Sequence, residues 1–253
     1  MSSVEFVVVE EPEPRGMPAF VAELIGTFLL VFFICGFLSV AHAAAGFDLA
    51  GLALAHAFVL MVLIYALGGA SGAHFNPAVT FALWSIKKIS APNALVYVVM
   101  QLIGGVLGAL VVLLLFKTVG RAPINYGATA INSQILHNGS VWLGLIAEAI
   151  GTFMLMWAIM GLAVNPRGEA SLAGVGIGAA LGVAVMIVGP ATGAGLNPAR
   201  WLGPAVASGR FDDFWIYIVG PLAGALIAAL VYRTFVLEDR GLIPQRPKDE
   251  LAG

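Results

Sequence analysis

Six apolar stretches separated by short polar segments dominate the chain, at residues 18–40, 50–69, 94–116, 141–163, 173–190 and 214–236. A helix that crosses a bilayer takes about 20 mostly apolar residues, and each stretch is of that order. The pattern predicts an all-α membrane protein, with six transmembrane helices in a body over 18–236 and polar tails at 1–17 and 237–253. The first stretch reads as a span and not as a cleavable signal, because the residues before it are acidic (Glu5, Glu10, Glu11, Glu13). Six spans put both termini on one side. The segments on that side carry Arg15, Lys87, Lys88, Arg167, Arg233, Arg240, Arg246 and Lys248, against Lys117, Arg121 and Arg210 on the other. Basic residues collect on the cytoplasmic side of short loops, so both termini are expected there.

The pattern also repeats. Ala22-Glu23-Leu24-Ile25-Gly26-Thr27-Phe28 lies in the first span, and Ala147-Glu148-Ala149-Ile150-Gly151-Thr152-Phe153 lies in the fourth. Later in each half stands a second pair, Asn76-Pro77-Ala78 and Asn197-Pro198-Ala199. The halves, about 18–120 and 141–236, are therefore copies of one unit. Each holds three spans, an odd number, so the second copy must enter the membrane from the opposite face. Such inverted repeats place the working site near the midplane.

Each Asn-Pro-Ala box follows a glycine-rich segment (Gly68–Gly72, Gly189–Gly195) and opens an apolar run of about ten residues. Asn at the N-cap and Pro at the first helical position form a strong helix start. A run of that length is half a span and reads as a re-entrant half-helix. The segment before it reads as an extended arm, which is tolerated at membrane depth only where it lines a cavity. One such tripeptide is an ordinary helix start; two, one per half and each after such an arm, define a pore. The half-helices then meet N-terminus to N-terminus, each carrying roughly +0.5 of a charge from its macrodipole. Each Asn oxygen can cap its own helix, which leaves the amide N–H groups for the lumen, while arm carbonyls supply acceptors. A third pair, Asn165-Pro166, is followed by no apolar half-helix and reads as a loop turn.

Composition narrows the class. Apolar residues make up 60% of the chain and charged residues 10%, where a soluble domain carries about 25% charged. The net charge of −2 excludes a basic nucleic-acid-binding surface, and one cysteine, Cys35, excludes an intrachain disulfide or a cysteine-built metal site. No cofactor or metal is expected. Glu23 and Glu148 stand inside apolar spans, where an ionisable group needs partners. Either they relay protons or, the favoured reading, they brace the arms by accepting hydrogen bonds from the arm backbone and a neighbouring side chain. His74, two residues before the first asparagine, is expected to fix its loop. No nucleophile–base set or carboxylate pair is present to support an enzyme.

The two boxes, Arg200, the paired Ala-Glu-x-Ile-Gly-Thr-Phe openings and the six-span inverted repeat resemble the aquaporin (major intrinsic protein) family over nearly all of 18–236. The resemblance implies a passive channel for water and small neutral solutes that excludes protons and ions. It also implies a homotetramer in the bilayer, here expected in the plasma membrane. The family's outer filter falls on His56, Val185, Ala194 and Arg200, a set similar to that of some plant vacuolar-membrane aquaporins that pass ammonia beside water. Trp201, Ala205 and Tyr217 resemble the water-selective branch, and Ile218 departs from it. His137, in the outer loop, is a candidate for the pore mouth. A small-solute facilitator with little water flux is the alternative, and a coupled transporter, which shares inverted repeats, is the rival from another class. Many relatives blocked by mercurials carry a cysteine where this chain has Ala194. Mercurials should therefore leave flux unchanged, and rapid, thiol-reversible inhibition would contradict that.

Overall fold

A computed structural model of the chain describes residues 16–44, 46 and 48–238. The tails expected at 1–17 and 237–253, with most of the acidic and basic residues that enter the topology argument there, lie almost wholly outside them. Among the described residues there are eight α-helices and no strand: α1 Met17–Ala43, α2 Leu49–Ser71, α3 Pro77–Ser85, α4 Ala91–Leu115, α5 Val141–Ile159, α6 Ala173–Thr192, α7 Pro198–Ser208 and α8 Ile216–Tyr232. Single π-helical turns extend α5 over Met160–Val164 and α8 over Arg233–Glu238. Six of the helices are long and apolar enough to cross a membrane; α3 and α7 are the short ones.

Helix starts follow the local chemistry. Pro sits in the first turn of α1, α3, α4 and α7, and Asp48, Asn76, Ser140 and Asn197 cap α2, α3, α5 and α7 through side-chain oxygens. The stops differ from the reading of the sequence. Helices α2 and α6 run past 69 and 190 to Ser71 and Thr192, through Gly69 and Pro190. They end where Gly72 and Gly193 turn left-handed (φ 85° each) and donate to the carbonyls of Gly68 and Gly189 (2.8 Å each). The arms are consequently only about five residues long and are not extended strands. Ala73 (φ 53°), Phe75 (φ 47°), Ala194 (φ 48°) and Leu196 (φ 50°) are left-handed.

The two repeats pack alike. Helix α1 lies on α4 and α5 lies on α8, while α2 against α6 joins the halves. Each short helix also rests on the last long helix of the other half: α7 on α4, α3 on α8. The close approach of α1 to α4 is set at Gly104, where a Cβ would collide with the carbonyl oxygen of Leu24. The equivalent collision in the second half is between Gly224 and the carbonyl oxygen of Ala149. Small residues let helix backbones touch inside a bilayer, where no hydrophobic drive pushes helices together. Gly224→Val should therefore force α5 and α8 apart and destabilise the fold by about 1–3 kcal/mol or more. Gly69→Ala, with nothing within 4 Å of its added Cβ, should stay within about 0.5 kcal/mol of the parent. Thermal unfolding of the purified protein compares the two, and equal melting temperatures would refute this packing account.

Candidate functional site

The site starts from the repeated Glu-x-x-Gly-Thr core of α1 and α5. Glu23 Oε1 accepts from the Ser71 hydroxyl (2.6 Å) and His74 N–H (3.0 Å), and its Oε2 from Phe75 N–H (2.7 Å) and Gln101 Nε2 (2.7 Å). Glu148 Oε1 accepts from the Thr192 hydroxyl (2.5 Å) and Gly195 N–H (2.9 Å), and its Oε2 from Leu196 N–H (2.6 Å). The left-handed residues of each arm turn consecutive N–H groups to one side, a concavity suited to an anion. Three residues on, Gly26 and Gly151 leave room for the side chains of Phe75 and Leu196. Thr27 and Thr152 then return their hydroxyls to the carbonyls of Glu23 and Glu148 (2.8 Å each). Each motif is thus a seat for one arm.

Several members of the seats are not singled out by the sequence reading, and Tyr217 enters it only as a mark of the water-selective branch. Tyr97 and Tyr217 donate their hydroxyls to the carbonyls of Ser71 and Thr192 (2.8 Å each). Ser71 and Thr192 stand at the same offset as the two asparagines, a signal that a residue-by-residue overlay of the halves would have found. Gln101 gives no such signal, because Pro221 occupies the equivalent place. Its Nε2 also donates to the Thr80 hydroxyl (2.9 Å), which lies 3.1 Å from His74 Nδ1. His74 is further packed edge-on against Tyr97. Tyr217 stacks on Trp201 beside buried Ala205, and Ile218 is part-buried in the same cluster.

The half-helices meet at their starts. Asn76 Oδ1 accepts from Ala78 N–H (2.9 Å), and Asn197 Oδ1 from Ala199 N–H (2.9 Å) and Arg200 N–H (3.3 Å). Pro77 and Pro198, which have no N–H to satisfy, begin the two helices. The amides do not all face the lumen, as the sequence reading has them. Asn76 Nδ2 donates to the carbonyl of Leu196 (2.9 Å) and Asn197 Nδ2 to that of Phe75 (2.8 Å). One N–H of each asparagine therefore ties its own half to the arm of the other.

Beside these asparagines runs a cavity of about 80 Å³, room for roughly three waters. Its wall is mostly aliphatic, with His56, His74, Asn76, Asn197 and Arg200 as the polar groups and Ala194 between them. His56 Nδ1 contacts the carbonyl of Leu52 (2.8 Å), which leaves its buried Nε2 without a protein partner. Arg200, 3% exposed, donates from Nη1 to the carbonyl of Gly127 (2.8 Å) and from Nη2 to that of Gly193 (3.4 Å); its buried Nε has no protein partner. Two expected residues are not on this wall. Val185 is buried in α6 and does not line it. His137 is exposed on its turn, 3.1 Å from Asn138 Nδ2, and the outer loop reaches Arg200 through the Gly127 backbone instead. Among the described residues no three His, Cys, Asp or Glu are grouped to hold a metal ion.

A water-sized cavity beside the starts of two short helices, carried by six helices long and apolar enough to cross a membrane, is the arrangement of a membrane pore. The family described as "MIP: Major intrinsic protein" matches residues 12–232. The chain is 36% identical over 223 residues to "Probable aquaporin NIP4-2" of Arabidopsis thaliana (88% of this chain, 76% of that one). It is 37% identical over 243 residues to "Aquaporin AqpM" of Methanothermobacter marburgensis (86% and 97%), and 38% identical over 223 residues to "Nodulin-26" of Glycine max (88% and 79%). Among solved structures it is similar to the aquaglyceroporin from Plasmodium falciparum, with a TM-score of 0.75, 26% identity, and 89% of this chain and 98% of that one covered. The protein belongs to the major intrinsic protein, or aquaporin, family of multi-pass membrane channels for water and small solutes. These relatives are NIP-type, nodulin and archaeal proteins, so the narrower likeness to vacuolar-membrane water channels rests on four filter residues alone.

Glu148→Gln keeps the shape of the side chain but sets an amide N–H against the Gly195 or Leu196 N–H. Leaving one buried backbone donor unpaired should cost about 1–3 kcal/mol, read as a lower melting temperature. Unchanged melting would show that the carboxylate is not what holds the arm.

Proposed function

We propose that this protein is a passive water channel whose filter, formed by His56, Ala194 and Arg200 with Val185 buried in α6, also admits ammonia and excludes protons and ions. The observation that carries the proposal is the pair of buried nitrogens, His56 Nε2 and Arg200 Nε, that have no protein partner beside a water-sized lumen. A buried polar atom is rarely left unpaired, and a permeating molecule is the partner this wall offers. Ala194 on the same wall leaves space that a bulkier residue would fill, which supports passage of solutes a little larger than water. The residual amide N–H of Asn76 and Asn197, with arm carbonyls, exchanges hydrogen bonds with water at mid-path. Cations meet the fixed charge of Arg200 and the positive ends of α3 and α7. Glu23, Glu148 and His74 act as structural supports, not as a proton relay. Both termini face the cytoplasm, the membrane is the plasma membrane, and the assembly is a homotetramer with one pore per copy. His137 contributes to solute entry only from outside the lumen.

A second reading, a small-solute facilitator with little water flux, is favoured by the likeness to an aquaglyceroporin and by the mostly aliphatic wall. Stopped-flow light scattering on proteoliposomes separates them. The proposal expects fast shrinkage in an impermeant osmotic jump, with a weak temperature dependence and no need of an ion gradient. It also expects ammonium-driven internal pH change and little glycerol entry. Arg200→Val should keep water flux while admitting protons and glycerol. Glycerol flux without accelerated water flux would establish the second reading, and dependence on an ion gradient would move the protein to coupled transport.

A further inference from the structure

The third Asn-Pro pair, Asn165-Pro166, does more than turn a loop. A proline disfavours helical backbone in the residue before it, and Asn165 is extended (φ −69°, ψ 121°). Helix α5 therefore has to stop here. Its last turn, Met160–Val164, closes as a π turn, with the Asn165 N–H donating to the Met160 carbonyl five residues back (2.9 Å). The side chain of Asn165 fixes that end from two sides. Its Oδ1 accepts from the Arg167 N–H (2.9 Å), and its Nδ2 donates to the hydroxyl of Tyr232 on α8 (3.1 Å). Tyr232 is buried and packed edge-on against Trp157 of α5. Gly168 completes the clamp: its N–H donates to the Asn165 carbonyl (2.8 Å), and a Cβ on it would collide with the carbonyl oxygen of Gly161.

The π turn decides which side chain faces the cavity. Leu155 and Ile159 of α5 line it. In an unbroken α-helix Leu162, one heptad after Leu155, would stand within about 20° of it and bring its bulk onto the same wall. A π turn takes up one residue more than an α turn, so the register slips by one and Ala163 lines the cavity instead. Leu162 is turned onto α6, where its Cδ1 occupies the space that a Cβ on Gly176 would need. Helix α5 starts beside the outer loop that holds Arg200, so Ala163 stands at the opposite, inner end of the cavity. Resting on the reading of this cavity as the conducting lumen, we propose that Asn165 is a positioning residue for the inner mouth. By ending α5 in a π turn tied to Tyr232, it presents Ala163 in place of Leu162 and so sets the width through which solute leaves.

The test reads water permeability per inserted protein in proteoliposomes, with p-chloromercuribenzenesulfonate on both faces of the vesicle. The parent is the control, since its one cysteine, Cys35, is buried. The reagent should cut the permeability of Ala163→Cys by roughly threefold or more, reversibly by added thiol, and leave that of Leu162→Cys unchanged. No block at Ala163→Cys, or an equal block at Leu162→Cys, would overturn the proposal. Asn165 is tested without reagent. Asn165→Ala frees the end of α5 and should lower water flux by a similar factor, as Leu162 swings onto the wall. Leu162→Ala in the same chain should restore the flux, because the obstructing side chain is gone; a merely structural role for Asn165 gives no such rescue. A folded Asn165→Ala that conducts like the parent, or a loss that Leu162→Ala does not restore, contradicts the proposal. Should Asn165→Ala not fold, Tyr232→Phe, which removes the partner of Nδ2, replaces it in the same pair and is judged by the same outcomes. Failure of the lumen reading shows separately, as a parent without water flux.

Discussion

Backbone that is not helical has no water to bond with inside a bilayer, and each unsatisfied N–H or C=O there costs several kcal/mol. This protein places two such segments, the arms before Asn76 and Asn197, in its centre. Everything else in the structure serves to satisfy them. Two buried carboxylates collect the arm N–H groups, Ser71 and Thr192 add hydroxyl donors, and two tyrosines take up carbonyls at the helix ends. Each asparagine then spends one amide N–H on the other half's arm. The inverted repeat follows from this constraint, since each half supplies both a seat for its own arm and a clasp for its partner's.

With the arms satisfied by the protein, two nitrogens on the cavity wall are left over. His56 Nε2 and Arg200 Nε are buried there without a protein partner, and the proposed function makes them the groups that meet solute. The division separates two uses of buried charge. Glu23 and Glu148 are surrounded by donors and spend their capacity on architecture. Arg200 is held by two carbonyls through Nη1 and Nη2, which leaves its Nε unpaired at the cavity wall.

Much of this was legible in the residues, because the signals are local and repeated. Six apolar runs, the two Asn-Pro-Ala starts and the doubled Glu-x-x-Gly-Thr motif each have one structural solution in lipid. The arms were legible as cavity-lining but not in their conformation. Glycine content points to bends, whereas the left-handed states of Phe75 and Leu196, both large side chains, are imposed by tertiary contacts with Gly26 and Gly151. Gln101 and Gly127 escaped for a related reason. The first has no counterpart in the second repeat, and the second acts through a backbone carbonyl, which no side-chain pattern records. Whether Val185 lines the cavity likewise depends on how α6 is rotated, to within a fraction of a turn, and it does not.

The central claim is that buried carboxylates hold the arm amides, and hydrogen exchange on the protein in lipid nanodiscs measures it directly. Peptides covering 72–76 and 193–197 should report slow exchange at His74, Phe75, Gly195 and Leu196, comparable to helix interiors although these residues lie outside any helix and line the cavity. Exchange at the rate of an open loop would contradict the account, because amides bonded to Glu23 and Glu148 could not then be the resting state of the pore.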